Sequence, residues 1–304
     1  MMVILLFMAT ALGTGIRFEE KPCPHGEGTV RQFFKVSGNT LGGYDSDLAV
    51  YSTRGQFREH AVSTCPSSYF SVLGTDLERE IPEVLRGAVD DAIARSRSTW
   101  AQPDEPEVWE RYDTAARIAT ALGRDHFAVA ELYLNASWTV RDAAVGVYVG
   151  GLNGPKAARE ILSVGESELA KTLPPESIKL LRYNLARVAH RGGFNSDRDR
   201  HIDAYLALTT LTESERAAGR KLRRLARRIE PTYQRAAALA LQAALATEQS
   251  GPRVAQARYQ LADVYRRLGE LDKARQGFKD TLTDTESPRE VRDLAAYLLE
   301  EIGK

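Results

Sequence analysis

Two cysteines, five histidines and the aspartate pair beside Gly42-Gly43 are the residues through which this sequence could do chemistry. Cys23 sits in Cys23-Pro24-His25-Gly26 and Cys65 in Thr64-Cys65-Pro66-Ser67-Ser68. A structural zinc site takes four ligands, mostly thiolates, at ~2.0–2.3 Å, so two cysteines would have to recruit His25 and His60. A Cys-x-His spacing is not a standard knuckle. The histidines, His25, His60, His126, His190 and His201, have no metal-ligand spacing among themselves. Asp45 and Asp47 follow Gly42-Gly43 and could open a calcium or magnesium loop, but hard cations want more carboxylates and no later glutamate completes the set. The two aspartates therefore read as turn caps that bond their own backbone amides. No nucleophile elbow, phosphate loop or two-histidine helix motif occurs, so no metal and no cofactor is expected. A catalytic triad assembled from distant positions would leave no such trace, which keeps an unrecognised hydrolase open as a third reading.

One basic run stands out: Arg220-Lys221-Leu222-Arg223-Arg224-Leu225-Ala226-Arg227-Arg228. On a helix Leu222, Leu225, Ala226 and Ile229 share a face and the arginines point away from it. Such a face could touch phosphate or anionic lipid. Without interleaved aromatics for base stacking it reads instead as a solvated helix face paired with nearby acids.

Two kinds of element must position these residues. Residues 16–82 are rich in glycine, serine, threonine and aromatics, with short strand signals at Val30, Phe34 and Val36 and at Leu48, Val50 and Tyr51. From residue 83 to 304 the chain turns alanine-, leucine- and arginine-rich with helical spacing, with 96–106 read as a connecting loop. The expected fold is mainly α, a tetratricopeptide-like α-solenoid with a small β-rich N-terminal head. The clearest repeat runs from Tyr259 to Leu282: Leu261, Ala262 and Tyr265 on one helix, a turn at Gly269, then Ala274, Phe278 and Leu282 on the next. This alternation of large and small residues resembles the tetratricopeptide repeat, in which small side chains let paired helices approach. Weaker copies centre on Gly123 and Gly193, the latter interrupted by Asn195–Arg200 before a helix resumes near His201. Further helices are expected over 156–171 and 233–248, and a capping helix from Pro288 to Ile302. Projecting the repeat leaves Asp113, Arg117, Tyr183, Arg187, His190, Tyr259, Asp263 and Arg266 free on a concave face, a lining suited to a protein or peptide partner.

The head carries Ser37-Gly38-Asn39-Thr40-Leu41-Gly42-Gly43-Tyr44-Asp45-Ser46-Asp47 between its two Cys-Pro pairs. Together these resemble a bacterial domain-of-unknown-function family that joins a zinc-ribbon-like head to tetratricopeptide-type repeats. In that family's pattern each knuckle reads Cys-Pro-x-Cys, and an Asn-Thr-x-Gly-Gly-x-Asp-x-Asp segment separates them. Here Gly26 and Ser68 stand where the second cysteines would be, so the ribbon is degenerate. The resemblance implies the architecture and no reaction. It also implies that the two remaining cysteines stay neighbours across the lost metal. In an oxidising compartment Cys23 and Cys65 would then form a disulfide, worth ~3–4 kcal/mol on the chain-entropy model. Two buried free thiols or an incomplete metal site are the alternatives.

Length and charge bound the rest. At 304 residues the chain can bury ~75 % of its unfolded surface without crosslinks. Its 41 basic residues against 41 acidic ones remove any global attraction to nucleic acid. Residues 1–15 are apolar and small with no charge before Arg17, the pattern of a secretory signal, and too short for a membrane span. The leading expectation is an exported, periplasmic or extracellular, non-catalytic adaptor or scaffold for a protein or peptide partner, with no nucleic acid and no membrane span. The alternative is a cytoplasmic regulator whose degenerate ribbon contacts nucleic acid.

Overall fold

A computed structural model describes residues 15–53, 55–102, 104–146 and 152–303. The proposed secretory signal and the Gly150-Gly151 punctuation lie outside them, apart from Gly15. The described chain is mainly α with a small β-rich head, as the composition shift at residue 82 predicts.

The head holds three two-stranded pairings. Strands β1 (Ile16–Pro22) and β2 (Thr29–Lys35) form an antiparallel hairpin that pairs Ile16 with Lys35 and Pro22 with Thr29. A single turn, α1 (Arg58–Ala61), precedes the short hairpin of β4 (Val62–Thr64) and β5 (Ser71–Leu73). Between them β3 (Gly43–Tyr44) runs parallel to β6 (Leu152–Asn153), which belongs to the helical region. Gly43 is required there: its φ is +84°, and a Cβ would lie 2.1 Å from the Leu152 carbonyl oxygen. Leu48, Val50 and Tyr51, expected as a strand, form none: Leu48 closes a turn, Val50 makes one isolated bridge with Tyr44, and Tyr51 exchanges backbone hydrogen bonds with Gly42 and Gly43. Cys23 and Cys65 are joined in a disulfide with α-carbons 5.8 Å apart, inside the usual bridging range.

Helices α2 (Arg86–Arg97), α3 (Val108–Ala121) and α4 (His126–Val145) follow. Glu107 and Glu110 cap α3 reciprocally, and Asp125 caps α4 through the Ala128 amide. The head shares its apolar core with α2 and α3: Val30, Cys65, Phe70, Leu77 and Ile81 cluster with Val89, Ile93 and Ile118. The remaining helices are α5 (Gly154–Leu169), α6 (Pro175–Gly192), α7 (Asn195–Leu206), α8 (Glu213–Arg224), α9 (Glu230–Thr247), α10 (Pro252–Leu268), α11 (Leu271–Thr283) and α12 (Arg289–Gly303). The Asn195–Arg200 stretch, expected to interrupt the repeat, is the first half of α7. The left-handed Gly193 already ends α6, so α7 can begin at once. A π-turn at Leu225–Ile229 joins α8 to α9. It falls where Pro231 cannot donate its hydrogen bond and its ring crowds the carbonyl four residues back.

The helices do not stack in simple chain order. The main packing partner of α4 is α9, and α9 leads on to α10, α11 and α12, whereas α5 to α8 form a side row that meets α4 through α6. Ala240 and Ala244 of α9 share an apolar cluster with Ala136 and Ala144 of α4, small side chains that let the two helices approach closely. Where the two rows diverge, the inner ends of α4, α6, α9 and α10 surround a space too polar to close on itself.

Candidate functional site

That space is filled by the head. The chain turns at Asp45-Ser46-Asp47-Leu48, where the Asp45 amide donates to the Ala49 carbonyl and the Leu48 amide to the Asp45 carbonyl. Leu48 has φ +68°, an uncommon conformation for a branched residue, held here by what surrounds the turn.

Four arginines receive it. Arg141 of α4, 0 % exposed, gives Nη1 to Asp45 at 2.9 Å and to Asp47 at 3.0 Å. Its Nη2 reaches Asp47 at 2.7 Å, and Nε and Nη2 reach Glu230 at 3.0 and 2.7 Å. Arg191 of α6 donates to the other Asp45 oxygen at 2.8 Å and lies over the Tyr51 ring, 3.8 Å from its centroid. Arg266 and Arg267 of α10 both donate to Ser46 Oγ, at 2.8 and 2.7 Å, and both bind Asp263. Ser46 in turn donates to Asp263 at 2.8 Å, and the Tyr259 hydroxyl donates to the Ser46 carbonyl. Trp138 closes the set by donating its indole N–H to Asp47 at 3.0 Å. Nearby, Arg58 of the head forms a two-pronged pair with Asp142 of α4, at 2.6 and 3.2 Å.

Charge is balanced within this cluster. Arg141, Arg191, Arg266 and Arg267 face Asp45, Asp47, Glu230 and Asp263, all buried. Taking a charge out of water costs several kcal/mol, so each must find an opposite partner. The helices alone supply four cations and two anions; the turn supplies the two missing carboxylates. Burial pushes the Asp47 carboxyl up, but Arg141 and Arg267 outweigh it and hold it far below the ordinary range. Burial likewise opposes ionisation of Glu230, and Arg141 and His190 overcome it. His190 Nε2 is 2.9 Å from Glu230, close but poorly aligned for a hydrogen bond. Burial depresses its pKa more than Glu230 restores it.

The predicted groove residues divide into two groups. His190, Tyr259, Asp263 and Arg266 converge on this cluster, but buried and not as an open lining: Tyr259, Asp263 and Arg266 contact Ser46, and His190 faces Glu230. The repeat pattern identifies which side chains the helix packing leaves free and is silent on what then covers them. Asp113, Arg117, Tyr183 and Arg187 are elsewhere. Asp113 is buried and accepts from Ser96 and from Arg117, each at 2.7 Å. Tyr183 packs on Tyr205 with centroids 5.2 Å apart, and Arg187 donates to the Val145 carbonyl at 2.5 Å. Asp45 and Asp47 are not backbone turn caps; guanidinium groups, the Tyr51 hydroxyl and the Trp138 indole take up their side chains.

Arg141, Arg191, Arg267 and Glu230 had not been singled out in the sequence. Arg141-Asp142 does interrupt the otherwise apolar second half of α4, and Arg191 and Arg267 each stand two residues before a left-handed turn glycine. Those coincidences are the available signal. The basic run, by contrast, pairs with acids on neighbouring surface: Arg220 with Glu213, Arg223 with Asp203, and Arg227 with Asp199 and Asp203. Among the described residues no helix is long and apolar enough to cross a membrane. Comparison with protein families, with curated proteins and with solved structures finds no match for this chain.

Proposed function

We propose that this protein is an exported, non-catalytic adaptor of tetratricopeptide type that holds an acidic segment against its helices. One observation carries the reading: four helix-borne arginines grip an Asp-Ser-Asp turn through side chains two residues apart. Clustered arginines are a recurrent device for reading acidic motifs, because the planar guanidinium matches a carboxylate with two parallel donors. In the conformation described here the segment is the chain's own. A partner presenting the same chemistry would take the place of the turn. The disulfide supports export, since such bonds persist in oxidising compartments.

The test is peptide exchange in the full chain. Asp45→Asn combined with Ser46→Ala weakens the turn's hold while leaving every helix arginine in place. A labelled peptide of residues 42–52 should then bind saturably, and the unaltered chain should not take it up. A double variant that folds normally yet ignores the peptide would sink the adaptor reading and leave the turn as a purely structural plug.

A further inference from the structure

A second arginine-centred place lies in the head itself. The β1–β2 hairpin, His60 of α1, β4 and Arg111 of α3 enclose a cleft of about 590 Å³. That is the size of a small-molecule site. Phe18 forms one wall, with Arg31 laid over its ring 4.2 Å from the centroid. His60 stands edge-on to Phe18 at 5.6 Å and tilted against Phe33 at 5.8 Å.

Arg111 is the unusual member. Its Nη2 donates to the Glu59 carbonyl at 3.3 Å, but its buried Nε has no acceptor among the described residues. No carboxylate of the described residues lies within ion-pair distance of it, whereas Arg58, Arg141, Arg191, Arg266 and Arg267 each have one. A buried donor without a partner is rare in folded proteins and marks either strain or a place kept for a ligand. Burial lowers the Arg111 pKa, and Tyr112, Glu107 and Glu59 offset that only in part. His60 is depressed by burial and then by Arg111 and Arg31, which places both guanidiniums close enough to act on one ring. One acid, Glu20, lines the cleft, and Glu59 and Glu107 lie near Arg111 outside its lining. Glu20 lies across the hairpin from Arg31, and Glu59 is next to His60, its carboxyl raised first by burial and then by Asp142. Neither contributes to the shift at His60.

We propose that this cleft binds a small molecule carrying an oxyanion, carboxylate or phosphate, on a flat ring. The oxyanion would accept from the Arg111 guanidinium and from Arg31, and the ring would lie against Phe18. Both guanidiniums are already oriented by the protein, one by the Glu59 carbonyl and one by the aromatic face, so little ordering remains to be done on binding. This site is independent of the acidic-segment slot and shares none of its residues.

Titration of the full chain with benzoate and with phenyl phosphate, followed through the His60 ring protons by NMR, tests it. Saturable binding is expected, with the His60 pKa rising as the bound anion offsets the two arginines. The tighter of the two acids identifies the oxyanion. Arg31→Gln and Arg111→Gln should each weaken binding by at least about tenfold, the loss of one charge-assisted hydrogen bond. Arg31 lies on the exposed face of a strand, so its variant keeps the test valid if Arg111→Gln does not fold. No saturable shift with either acid, or binding that survives both substitutions, overturns the proposal. Equal binding of inorganic phosphate overturns the ring requirement.

Discussion

The central slot and the head cleft are both built around arginine, and they treat it in opposite ways. In the slot, four buried guanidiniums meet four carboxylates and almost every donor of Arg141 is used. In the cleft, Arg31 meets the Phe18 face and Arg111 a backbone carbonyl, and among the described residues neither has a carboxylate within ion-pair distance. Matched charges hold two parts of a chain together; unmatched ones are available to something else. The contrast assigns the slot to a segment of polypeptide and the cleft to a small anion. It also sets what substitution at each place should do.

The largest effect is expected in the slot. Asp47→Ala leaves Arg141 and Arg267 short of a partner in a site closed to water, a change that costs about 3–5 kcal/mol. Chemical denaturation should show it as a lower midpoint with the slope unchanged. Arg31→Gln in the cleft should stay within about 0.5 kcal/mol of the parent. If the two variants lose similar stability, the slot is not the charge-balanced clamp described here.

Next in size is the disulfide, which ties the hairpin turn to the buried Cys65. It closes a loop of 42 residues, and its removal should cost about 3–4 kcal/mol on the chain-entropy model. Thiol titration of the native protein should find no free sulfhydryl, and reductant should lower the denaturation midpoint. Because the head shares its core with α2 and α3, the loss should appear in a single transition with the helices. A separate early transition of the head would mean that slot and core fail to couple it to the rest.

A smaller effect belongs to the helix pair below the slot. Ala274 is fully buried between α10 and α11, and a Cβ on Gly277 would come within 2.7 Å of the Ala262 Cβ. Ala274→Leu should overpack this seam and cost about 1–3 kcal/mol. A Tm within error of the parent would show that the register of the two helices differs from the one described.

How much of this was legible in the sequence follows from the range of the interactions. Helix spacing, turn glycines and the Ala274–Phe278 seam are local patterns, so 154–169 and 230–247 appear close to where they are expected. The packing of α4 on α9 joins residues some ninety positions apart and leaves no periodic mark. Asp45 and Asp47 beside glycines suggest a turn, and the turn is there. Its side chains are directed by arginines on α4, α6 and α10, which no spacing rule connects to it. The cleft was missed for a similar reason: Phe18, Arg31, His60 and Arg111 come from four elements.

The smallest predicted effect separates the two regions by pH. In the slot, Asp47, Asp263 and Glu230 are held below their ordinary values, although burial opposes it, by the surrounding arginines. Their contribution to stability is present above the unfolded carboxyl value near pH 4 and is lost as pH falls further. His190 is depressed by burial, so its ring is neutral in the fold while the unfolded chain takes up a proton near pH 6.5. Its contribution is therefore present above about pH 6.5 and is lost as pH falls toward the depressed folded value. His60 and His201 are depressed as well, by burial first, and act in the same direction. Denaturation midpoints measured from pH 8 to pH 5 should fall with acidification, and His190→Gln should reduce that slope without abolishing it. Benzoate or phenyl phosphate should reduce what remains, because an anion beside Arg31 and Arg111 raises His60 toward its unfolded value. A slope that ignores His190→Gln would place a proton on His190 in the folded protein, and the charge balance of the slot would then require one more carboxylate than the four assigned to it.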